Sequence, residues 1–182
     1  DEDTNSNQGR NSLFELRLAT TFAEVGYKTT LFDDNPDIIV ETYGYKYAIE
    51  CKRIYKEESF ISNIKEAKKQ LVNNSIGKKS RRGLIAISVT RAFNSGGTKK
   101  LVTETAQEAS ASVDSVLEAI YKENVGAISE LLPYTIPGLL LEYSDIAEIN
   151  VPYWIHKMLF ARLANTGSAK VLNDFDKLIK MV

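Results

Sequence analysis

Two acids and a lysine lie close together in the stretch NPDIIVETYGYKYAIECKR, residues 35–53: Asp37, Glu50 and Lys52. Carboxylates held near one another repel, and they stay ionised together when a positive charge sits between them. A divalent cation supplies that charge. Oxygen ligands, water and a phosphate oxygen suit Mg²⁺. Such an ion lowers the pKa of a bound water and clamps a phosphoryl oxygen. The Lys52 ammonium, two residues from Glu50, reaches the same place and can orient the attacking water or hold the phosphate. Acting as a base would require a depressed pKa, which a neighbouring ion promotes.

Whether the three residues meet depends on the elements that carry them. The stretch reads as two strands around a tight turn, with Gly44 supplying the permissive backbone of a two-residue loop. With Tyr43 and Gly44 as the loop, Asp37 lies opposite Glu50. With Gly44 and Tyr45 as the loop, it lies opposite Lys52. Either choice puts Asp37, Glu50 and Lys52 on one face. The other face then carries Ile38, Val40, Tyr47, Ile49 and Cys51, an apolar set suited to packing under a helix. A slip of one residue would bury the charges and expose the apolar groups. A three-residue loop breaks this parity unless a bulge restores it.

Around the hairpin, spacing predicts a helix over 11–26, with Phe14, Leu18, Phe22 and Val25 on one face, Asn11 or Ser12 as its cap and Gly26 as its end. YKTTLF adds a strand before the hairpin. A helix is predicted over 58–75 and a doubly covered strand over 82–90. A long helix is predicted over 98–123, with a seam of Leu101, Thr105, Ala109, Val113, Val116 and Ile120. GLLLEYSDIAEI reads as a strand or strand pair, 152–165 as a helix with Pro152 in its first turn, and 168–181 as a last helix. The fold class expected is α/β, a mixed central sheet with helices on both faces.

The chain has 182 residues and a net charge of −1, enough for one domain and too neutral for a dedicated polyanion binder. The charge is uneven. Lys65, Lys68, Lys69, Lys78, Lys79, Arg81 and Arg82 stand against one acid, Glu66, within residues 65–82. That segment is either a solvated helix face with a polar loop or an edge that contacts phosphates. One cysteine rules out an intramolecular disulfide and a cysteine-rich zinc site, in keeping with a reducing compartment. No apolar run is long enough for a membrane-spanning helix, so no membrane partner is expected. The opening DEDTNSNQG, without Met, reads as a flexible polar linker over 1–9 in a piece of a longer protein. The remainder, 10–182, is expected as a single domain with a core over 11–90 and an α/β elaboration over 98–182.

Pro36-Asp37 and Glu50-Cys51-Lys52 resemble the PD and ExK motifs of the PD-(D/E)xK nuclease superfamily, whose fold is called restriction-endonuclease-like. The family core is a helix, a three-stranded meander, a helix and a further strand, and residues 11–90 follow that order. The resemblance implies that Asp37, Glu50 and the carbonyl of Cys51 bind Mg²⁺ or Mn²⁺ and that Lys52 assists hydrolysis. Many members also carry a glutamate on the first core helix, matched by Glu15 in LFELRLA, and a glutamine on the helix after ExK, matched by Gln70 in EAKKQL. The activity implied is a metal-dependent hydrolase, a DNA endonuclease module that pairs with other domains of a longer chain or forms a homodimer. The setting implied is cytoplasmic, bacterial or phage-related.

The second function class is a catalytically silent domain of the same fold that binds nucleic acid or protein. The plainest reading of Asp37, Glu50 and Lys52 is a surface salt-bridge cluster on a solvated sheet face. Glu15 and Gln70 read equally as ordinary exposed helix residues, Cys51 as core, and His156 as a packed or capping residue. With one histidine, a Ser-His-Asp triad and histidine-based zinc chemistry have little support.

Overall fold

The computed structural model describes residues 4–33, 36–42, 44–74, 81–94, 101–148, 153–163 and 169–180. Helix α1 (Thr4–Glu24) leads into strands β1 (Lys28–Leu31), β2 (Ile38–Glu41) and β3 (Lys46–Arg53). A single 3₁₀ turn (Glu57–Ser59) precedes α2 (Phe60–Asn74), followed by β4 (Arg81–Ser88) and the short α3 (Thr90–Phe93). The rest comprises β5 (Leu101–Val102), α4 (Ala106–Leu131), β6 (Gly138–Glu148), β7 (Tyr153–Arg162) and α5 (Ala169–Ile179).

The seven strands form one mixed sheet. Strands β1, β2 and β3 are an antiparallel meander, while β3–β4 and β4–β6 are parallel. Strand β6 also pairs in parallel with β5 and antiparallel with β7. Because β6 joins β4, the strands after residue 98 continue the sheet begun by residues 11–90.

Neighbouring strand residues point to opposite faces, and here both faces are covered. Ile38, Val40, Tyr47, Ile49, Leu84, Ala86 and Leu140 pack with Phe14, Leu18 and Phe22 of α1 and Phe175 and Leu178 of α5. Ile39, Ala48, Ile85, Ile87, Leu139 and Leu141 pack with Ile64, Ala67 and Leu71 of α2 and with Val113, Leu117 and Ile120 of α4. The face that carries the charged hairpin residues is therefore also a core face, lined by Ile39 and Ala48. The expected α/β class, with helices on both sides of a mixed sheet, matches this architecture.

Three boundaries depart from the sequence reading. Helix α1 extends back to Thr4, taking in residues 4–9 of the stretch read as a linker and passing the caps expected at Asn11 or Ser12. Helix α4 starts at Ala106 rather than near 98, because Thr105 caps it by accepting the Glu108 N–H at 3.2 Å. Thr105 is thus a cap and Leu101 a strand residue. The helix continues to Leu131, with Ile128 buried in its final turns. The helix expected over 152–165 is instead β7. Ile155, Leu159 and Leu163 fall four apart and read as a helical face, yet the aromatic and β-branched run Tyr153-Trp154-Ile155 suits a strand. The long β6 offers β7 a full antiparallel ladder from Gly138–Arg162 to Ala147–Tyr153. Pro152 lies outside the described residues.

Candidate metal-binding hairpin

The turn takes the first of the two loops considered. Strands β2 and β3 pair Ile38 with Ile49 and Glu41 with Lys46. Thr42 N–H donates to the Tyr45 carbonyl at 2.8 Å, so Thr42 and Tyr45 are the residues that close the turn; Tyr43 lies outside the described residues. Gly44 has φ +110°, the region glycine tolerates and other residues avoid. This register, continued by one residue, sets Asp37 opposite Glu50.

Glu50 is 1% exposed, so the cluster does not sit on a solvated face. Lys52 Nζ lies 3.3 Å from Glu50 Oε1 and 3.2 Å from Glu66 Oε1. Asp37 Oδ2 accepts the backbone N–H of Cys51 at 2.6 Å. In an extended strand the N–H and C=O of one residue point to the same side, so the Cys51 carbonyl opens toward the same edge as Asp37. The Cys51 side chain is buried on the opposite face, against α1.

The three acids share an electrostatic environment. Burial pushes the Glu50 carboxyl up from about 4.5 to about 7, aided by repulsion from Asp37 and opposed by Lys52. Burial also raises Asp37, against the pull of the Cys51 N–H and Lys52. Glu15 on α1 is raised by burial and then by the Asp37 charge, which ties it to the hairpin across the sheet edge. Asp37, Glu50, Lys52 and Glu15 are thus brought into one neighbourhood.

Helix α2 supplies the other wall. Glu66 reaches Lys52, and Gln70 stands one helical turn further along the same stripe. Gln70 Oε1 is buried and has no hydrogen-bond partner among the described residues. In the sequence Glu66 stands out as the lone acid in a basic run. Its spacing of four from Gln70 is the signal that puts both on one stripe of the helix.

The basic segment is spread out. Lys65 and Lys69 are exposed on α2 and Lys68 is half-buried. Lys78 and Lys79 lie outside the described residues. Arg81 and Arg82 pair with Lys46 and Tyr47 at the start of β3, five positions from the Lys52–Ile87 pair. At about 3.3 Å per residue that is roughly 16 Å from Lys52. Lys65, Lys68 and Lys69 flank the hairpin on α2, and the two arginines stand at the far end of the sheet.

A second polar cluster, on the α1 face, was not anticipated. Arg17 Nη2 lies 3.0 Å from Glu142 Oε1, and Arg17 Nη1 donates to Ser144 Oγ at 2.6 Å. His156 Nε2 lies 3.5 Å from the same Glu142 oxygen. Glu142 is 1% exposed. The cluster joins α1, β6 and β7, which no local spacing could reveal, and it gives His156 the packed role expected of it.

No family model, curated protein or solved structure matches the chain.

Proposed function

We propose that this chain is a metal-dependent nuclease domain of PD-(D/E)xK type with a restriction-endonuclease-like core, acting on phosphodiester bonds, most directly those of DNA. The observation that carries this reading is the buried Glu50 carboxylate bracketed by Asp37 and Lys52 on adjacent strands. Burying a charge costs free energy that one ion pair seldom recovers, and groups perturbed in this way cluster at functional sites. The order α1, β1–β2–β3, α2, β4 is the order of that family's core.

Among the described residues no three His, Cys, Asp or Glu side chains are gathered as a metal cage. The donor set is nevertheless suited to Mg²⁺ or Mn²⁺. Mg²⁺ is held by one or two carboxylates and keeps several waters. Asp37 and Glu50 are two carboxylates whose protonation is raised by burial, as is that of Glu15, and the Cys51 carbonyl opens beside them. A divalent ion held there would lower the pKa of a coordinated water and stabilise charge on a phosphoryl oxygen.

Lys52 has three N–H donors. Two are directed at Glu50 and Glu66, and the third is available to a water or a phosphate oxygen. Glu66 holds the ammonium in place, and the Gln70 amide oxygen is an acceptor for a water or for Lys52 itself. Lys65, Lys68 and Lys69 extend positive charge along α2 for the strand on either side of the scissile bond.

Supercoiled plasmid incubated with the chain and Mg²⁺, Mn²⁺ or EDTA tests the reading. Nicking should require the metal and fall at least about a hundredfold in Lys52→Ala. Inactivity of folded wild type with every metal would favour the silent binding module. Full activity in a folded Lys52→Ala protein would remove the hairpin from the chemistry.

A further inference from the structure

A cleft of about 450 Å³ opens between α1 and the end of β1. Ser12, Glu15 and Leu16, three and four apart, share one stripe of α1 and form one wall. Leu31, Phe32 and Asp33 form the other. Leu16, Leu31 and Phe32 are 51%, 43% and 47% exposed, so these apolar side chains are open to a ligand and not spent on the core. The volume lies within the range typical of ligand sites.

The cleft is continuous with the hairpin. The Phe32 N–H donates to the Asp37 carbonyl at 2.9 Å, which carries the β1–β2 ladder one residue past Leu31–Ile38 and sets Phe32 opposite Asp37. Hydrogen-bonded partners of this kind have Cα atoms about 5.5 Å apart. Glu15 belongs to both places, since it lines the cleft and feels the Asp37 charge. Charge sorts what can enter. Two acids, Glu15 and Asp33, line the cleft, and among the described residues no lysine or arginine does. A phosphate is repelled there. The lysines Lys65, Lys68 and Lys69 stand on α2, which packs on the other face of the sheet from α1.

We propose that the cleft holds an unpaired nucleobase, stacked on Phe32 between Leu16 and Leu31, from a strand whose backbone crosses the hairpin toward α2. An uncharged flat ring is what an exposed phenyl group flanked by two leucines accepts. Stacking of this kind is indifferent to sequence, because every base has a π-face. A base inside a duplex is already stacked and paired, so only a single-stranded or locally opened segment can place one in the cleft. The inference rests on the nuclease reading for the adjoining phosphodiester and narrows its substrate to unpaired strands.

Fluorescence anisotropy of a labelled oligothymidylate, an abasic strand of equal length and a blunt duplex, each with the whole chain in EDTA at low salt, tests it without cleavage. Wild type should bind the oligothymidylate at least about tenfold more tightly than the abasic strand, which carries the same charge. Phe32→Ala, at an exposed position, should weaken the oligothymidylate about tenfold and leave the abasic strand and the duplex unchanged. Phe32→Tyr should bind as wild type does. The proposal is overturned if wild type binds both single strands alike or binds neither. It is also overturned if Phe32→Ala weakens all three probes equally or none of them. Binding that depends on Phe32 in a chain that never cuts would keep the base cleft and remove the nuclease reading. Metal-dependent nicking by a chain whose binding ignores Phe32 would remove the cleft and keep the nuclease.

Discussion

Glu50 carries the strongest conflict between burial and charge at the hairpin, and it gives that site a pH signature. Its folded carboxyl titrates near 7 instead of near 4.5. Between those values the folded state keeps a proton that the unfolded chain has released. The stability this contributes is therefore complete below about pH 4.5 and is lost as pH rises through 7. Glu50→Gln fixes the neutral form. In EDTA it should match wild type near pH 4 and exceed it by about 2–3 kcal/mol above pH 7, read as a gain in melting temperature across a pH series. A variant without that pH-dependent gain would show that Glu50 is not in conflict with its surroundings. The face of each hairpin residue was legible from Gly44 and the apolar set Ile38, Val40, Tyr47, Ile49 and Cys51, because turn and pattern had to agree. That the charged face is also a core face was not legible. Ile39 and Ala48 are buried only because α2 returns over them, and Glu66 reaches Lys52 by the same long-range packing.

At the scale of elements, the packing at the start of β6 depends on one small residue. A Cβ on Gly138 would overlap the ring of Phe175 on α5 and approach the Ala161 carbonyl oxygen to 2.9 Å. The strand start, the helix and the neighbouring β7 are packed to contact there, so an added methyl group cannot be absorbed by one side chain. Gly138→Ala should destabilise by at least about 2 kcal/mol, seen as a lower urea midpoint with unchanged slope. Adding Phe175→Leu should return part of the loss, since it removes the atoms the methyl group meets. The apolar spacing of α2 and the covered run of β4 announced those elements correctly. Strand β7 resembles a helix in the sequence because Ile155, Leu159 and Leu163 recur every four residues, although its partner β6 is the strand just before it. Spacing alone sets the start of α4 too early, because Leu101 and Thr105 continue its seam.

Across the whole molecule, two separate hydrophobic layers share one sheet, and the central strands belong to both. Strand β4 is buried continuously from Gly83 to Ser88 and has parallel partners on both sides. Strand β1 and the two-residue β5 are largely exposed. Native-state amide exchange should therefore be slowest in β3, β4 and the first half of β6, and fastest in β1 and β5. Equal protection at the edges and the centre would contradict this layering. Trp154 adds a practical property to this arrangement. It is the chain's single tryptophan, it is 54% exposed on β7, and the Arg17 guanidinium of α1 rests 5.9 Å from its ring. Its emission is therefore a built-in optical gauge of the seam between the first helix and the last strand. Separation of α1 from β7 would be visible without any attached label, while the hairpin chemistry is followed by other means.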